Sequence, residues 1–80
     1  MRVFLLQHRH AADECSASFA AWRGFDSPLR HQVVLSSCLS GDHELWVTFE
    51  ADDGKSALSA LPPYVAARTN AIEVSEVPIP

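Results

Sequence analysis

The chain has 80 residues, 48% of them apolar and 20% charged, with a formal net charge of −4 when histidine is neutral. That length makes one domain, near the lower limit of what folds unaided. The six Lys and Arg residues stand apart at positions 2, 9, 23, 30, 55 and 68, so no basic run offers a footprint for nucleic acid.

The first predicted strand covers residues 2–8, is apolar on both faces and ends at His8, with His10 just beyond. Such a strand belongs inside a sheet covered on both sides. Eighty residues supply little material for two covers, so a partner subunit is expected over one of them. A helix is predicted over residues 13–23, with Asp13 and Glu14 placed to meet its positive end. Ala12, Cys15, Phe19 and Trp22 recur at helical spacing, which reads Cys15 as a small buried hydrophobe. Gly24 stops that helix and Asp26-Ser27-Pro28 turns the chain.

Residues 32–39 read as a second strand and Ser40-Gly41-Asp42 as a hairpin turn. The third strand, residues 43–50, alternates Leu45, Val47 and Phe49 against Glu44, Trp46, Thr48 and Glu50. Asp52-Asp53 opens a second helix carrying Ala57, Leu58 and Leu61. Pro62-Pro63 breaks it, and residues 64–67 form one further turn. The last strand is expected over residues 71–77, with Ile72 and Val74 on one side and Glu73 and Ser75 on the other. Pro78-Ile79-Pro80 cannot extend a central strand.

The apolar start is cut off by Gln7, His8 and Arg9, too early for a signal peptide, and no run reaches the roughly 20 residues that cross a bilayer. The expectation is a cytoplasmic protein with no membrane partner, in which Cys15 and Cys38 are reduced thiols.

The element order is β-α-β-β-α-β, the ferredoxin-like α+β arrangement. That order, the small size, the two-faced first strand and the Ala60-Leu61-Pro62-Pro63-Tyr64 segment resemble the dimeric α+β barrel superfamily, with small muconolactone isomerase-like members. The resemblance implies a four-stranded antiparallel sheet in the order 4-1-3-2, both helices on one face, and a homodimer formed through the other. It implies isomerase, cofactor-independent oxygenase or haem chemistry without selecting among them.

In that topology the first strand's end, the first helix's start and the 2–3 hairpin meet at one edge. There they gather His8, His10, Glu14, Cys38, Asp42 and His43. Phe4, Leu6 and His8, with Val34, Ser36, Cys38, Trp46 and Thr48, are expected on the open face, where pairing of two sheets leaves an apolar pocket. Three functions follow. In the first, the pocket binds a small apolar or aromatic molecule, with His8 as general base, Trp46 as a wall and Ser36 or Thr48 orienting an oxygen. In the second, His8, His10, Cys38 and His43 bind a zinc-type metal. In the third, the open face serves a non-catalytic accessory subunit. Arg30 and His31 lie in a loop where they can meet an anionic substrate, and Cys38 is the more reactive thiol expected.

Overall fold

The computed structural model describes all 80 residues. Strand β1, Arg2–Arg9, is central; β3, Glu44–Ala51, pairs with one side of it and β4, Thr69–Val74, with the other. A two-residue strand β2, Leu35–Ser36, adds to the free edge of β3. The sheet order is β2-β3-β1-β4, and every neighbouring pair is antiparallel.

The helices are shorter than the sequence pattern suggests. Residues 13–23 divide into a 3₁₀ turn, Ala12–Glu14, the helix α1, Cys15–Ala20, and a closing turn that ends at Gly24 with φ +73°. After β3, Asp53 accepts from the Ser56 N–H through Oδ1 at 2.7 Å and caps α2, Gly54–Leu58. Pro63 then starts α3, Pro63–Ala66, at the first helical position, where a missing N–H costs nothing.

The core lies between the sheet and α2–α3, built from Phe4, Leu6, Ala51, Ala57, Leu61 and Val65. α2 packs against the sheet at Gly54, where a Cβ would meet the Ala71 Cβ at an ordinary contact distance of 3.7 Å. Cross-strand register fixes the faces. Phe4 pairs with Phe49, Leu6 with Val47 and His8 with Leu45, so all six share the helix-covered side. Phe4, Leu6 and His8 therefore do not lie on the open face; they are buried beneath the helices. Val3, Leu5 and Gln7 take the open side, beside Trp46, Thr48 and Ile72. The first strand is apolar on both sides, with the two sides exchanged.

The second strand is also shorter than expected. Residues 32–34 carry no strand pairing, and Cys38 begins a 3₁₀ turn, Cys38–Ser40, instead of ending a strand. The cause is local: the Ser36 hydroxyl accepts the Cys38 N–H, and the Ser37 hydroxyl accepts the Glu44 N–H. These side chains offer the backbone an alternative to the ladder. The last strand begins at Thr69 and ends at Val74, before the chain's final prolines.

Candidate metal centre

Three segments converge at one end of β1. His10 lies just past the strand, and its N–H bonds the His43 carbonyl at 3.1 Å. Cys15 opens α1, and the Glu14 carboxylate before it accepts the Ala11 N–H at 2.9 Å, which tightens the preceding turn. Cys38 and His43 lie at either end of the β2–β3 connection. There Gly41 at φ +93° and His43 at φ +54° reverse the chain. Histidine is among the residues that adopt this left-handed conformation more readily, and His31, outside the cluster, does so too at φ +67°.

The ligating atoms of His10, Cys15, Cys38 and His43 all lie within 4.8 Å of one another. Tetrahedral zinc, with bonds of about 2.0–2.3 Å, sets its donors roughly 3.3–3.8 Å apart. His10 Nε2 and Cys38 Sγ are already 3.8 Å apart. Burial and the neighbouring Cys38 raise the Cys15 pKa, which favours its neutral thiol. His43 Nδ1 is buried and has no hydrogen-bond partner in the protein. A bare ring nitrogen beside two cysteine sulfurs and a second histidine is suited to a borderline metal.

His8 stands behind this group. Its Nε2 lies 2.8 Å from His10 Nδ1, and its Nδ1 lies 3.1 Å from the Thr69 hydroxyl and 3.4 Å from the Val65 carbonyl. Thr69 spends its own proton on the Val65 carbonyl at 2.7 Å. Thr69 is thus an acceptor for His8, so Nδ1 of His8 carries the proton and its Nε2 accepts from His10. That leaves the His10 Nε2 lone pair turned toward the Cys38 thiol, 3.8 Å away. Burial, then the adjacent ring, lowers the pKa of both His8 and His10 and keeps these imidazoles in the neutral, ligating form.

The residues that come together differ from the expected set by one. Cys15 takes the place of His8, because α1 begins beside the hairpin and presents its first residue to it. Both ring nitrogens of His8 are engaged, one by His10 and the other by Thr69. Glu14 pairs with Arg68 at 2.8 Å and Asp42 is exposed. Four residues separate His10 from Cys15, and four separate Cys38 from His43. That mirrored spacing is the sequence signal for Cys15.

The single chain has its own cavity, on the side away from the expected dimer pocket. A cavity of about 330 Å³ lies beneath α1 on the helix-covered side, and of the expected ligand-binding residues Leu6 and Val34 line it. Phe4 is in the core and Ser36 is exposed, while Trp46 and Thr48 border a shallow depression on the opposite face. No helix is long and apolar enough to cross a membrane. Comparisons with protein-family models, curated proteins and solved structures find no match.

Proposed function

We propose that the protein binds a zinc-type metal through His10, Cys15, Cys38 and His43. The observation that carries this reading is the approach of four ligating atoms to within 4.8 Å of one another, from segments far apart in sequence. The orphaned His43 nitrogen and the His10 Nε2 lone pair turned toward the Cys38 thiol support it. Four protein donors leave no position for a substrate, which is the form of a structural site. Two thiolates would balance a divalent ion. The cysteine deprotonation that binding requires makes uptake release protons and weaken in acid.

Elemental analysis of the protein purified without chelator tests the proposal. One metal equivalent per chain is expected, lost on Cys15→Ala or Cys38→Ala, with cobalt substitution giving the absorption of a tetrahedral thiolate site. His8→Phe should keep the four donors yet weaken binding roughly 10- to 100-fold, as loss of an orienting partner does. Metal-free protein, or metal retained in both cysteine variants, would overturn the assignment.

We further propose that the ferredoxin-like unit pairs through its uncovered sheet face with a second copy, as in dimeric α+β barrels. Supporting this, Leu5, Trp46 and Ile72 lie together on that face, with Ile72 43% exposed and Leu35 at its edge 74% exposed.

A further inference from the structure

We infer that the cavity beneath α1 is a second binding site, for a small molecule with an apolar, flat body and a carboxylate. His8 lines this cavity, but none of the four proposed metal donors does. The cavity measures about 330 Å³, enough for a compact aromatic molecule, and Leu6, Trp22, Leu45, Leu61 and Val65 form much of its wall.

Charge selects the other end of the ligand. The chain has ten acidic residues against six Lys and Arg, yet Arg23 and Arg30 line this cavity and no Asp or Glu does. Neither arginine has a carboxylate partner, since the protein's two ion pairs use Arg2 and Arg68. Arg30 is half-buried. An unpaired guanidinium at the edge of an apolar space is a ready bidentate partner for a carboxylate.

A third observation points the same way. Ser18, on α1, is 3% exposed, lines the cavity, and has a hydroxyl with no hydrogen-bond partner. Buried hydroxyls are nearly always satisfied. A rotation about its one side-chain torsion lets it donate to a ligand oxygen. Nine of the sixteen lining residues are apolar, and His31 and Gln32 stand with the arginines among the polar ones, so binding should require both halves of the ligand.

Calorimetric titration of the protein as purified tests this with 3-phenylpropionate, benzoate and indole-3-acetate, each beside its uncharged amide. At least one acid should bind saturably at one per chain, with its amide about ten-fold weaker or more, the loss expected for one charged hydrogen bond. Replacing both Arg23 and Arg30 by alanine should weaken the acid by about the same factor and leave the amide unchanged. Leu45→Trp should abolish binding by filling the space; if that variant does not fold, the arginine replacements, in the surface loop, still decide. Failure of all three acids to saturate would overturn the inference. So would equal binding of acid and amide, or binding by the arginine-free variant as tight as that of the unaltered chain.

Discussion

Glu14 joins the helix that carries Cys15 to the far edge strand. Its Oε2 receives the Arg68 Nε and Nη2 hydrogens at 3.1 and 2.8 Å, while Arg68 stacks 3.7 Å from the centre of the Tyr64 ring. Arg68, then the Ala11 N–H, pulls the Glu14 pKa from its ordinary 4.5 down to about 2. The folded chain therefore holds this carboxylate ionised where the unfolded chain protonates it. Stability from the pair is complete above pH 4.5 and is lost as pH falls toward about 2. Thermal melts of the metal-free protein should show that decline, and Glu14→Gln should flatten it within that window. An unchanged acid profile in the variant would show that the pair contributes nothing in solution, as many exposed ion pairs do. Cys15, one residue on, shows why a site is harder to read than a fold. Its spacing to Phe19 and Trp22 marks an apolar stripe, but α1 lies over a cavity. The buried residue on α1 is Ser18, while Phe19 is 49% exposed.

For the elements, alternation determines which residues of one strand share a side, but not which side that is. Leu45, Val47 and Phe49 alternate clearly, and they do face the helices. Nothing within β1 itself says whether Phe4 and Leu6 join them or Val3 and Leu5 do, because both sets are apolar. Register decides it, and register depends on the lengths of the connections and on where pairing begins. The two faces predict different costs. Leu6 is 1% exposed at the centre of the core, so Leu6→Ala should cost about 2–5 kcal/mol in urea denaturation. Leu5→Ala should cost clearly less in the single chain. Equal costs would mean that the face of Leu5 is as fully covered as that of Leu6. The strands and the α2–α3 break were legible because proline, glycine and alternation mark them directly. The collapse of the second strand to two residues was not, since it depends on serine hydroxyls diverting backbone N–H groups.

The molecule as a whole has a thin core. Only 11 of 80 residues are buried, and three of those are His8, His10 and Ser18. Small domains with little apolar burial commonly draw on a metal or on association. Both of the assemblies proposed above supply what the core lacks, at opposite ends of the problem: one ties loops together, and the other covers the bare side of the sheet. Sedimentation should show a dimer, and Leu5→Glu with Trp46→Ala should convert it to a monomer that keeps its metal. A monomer in the unaltered chain, or a variant that stays dimeric, would place the self-association elsewhere or nowhere. The placement of the polar cluster at one edge followed from topology, which brings strand ends together whatever the loops do. Its chemical composition depended on α1 starting at Cys15, one 3₁₀ turn past the end of β1, and no periodicity reports that.

The separation of the two donor pairs along the chain has a consequence for the order of events in folding. His10 with Cys15, and Cys38 with His43, are each local, but 22 residues lie between Cys15 and Cys38. A disordered chain offers an ion two donors at a time, and joining the pairs requires closing that loop against its entropy. The full set of four exists only once β1 and β3 have paired and α1 has settled. If the proposed metal binds, an ion held by all four donors is fully coordinated only in the folded chain. Contacts absent from the transition state leave the rate of folding nearly unchanged and slow the escape from the folded state, so an ion completed that late would give this small chain persistence in place of speed.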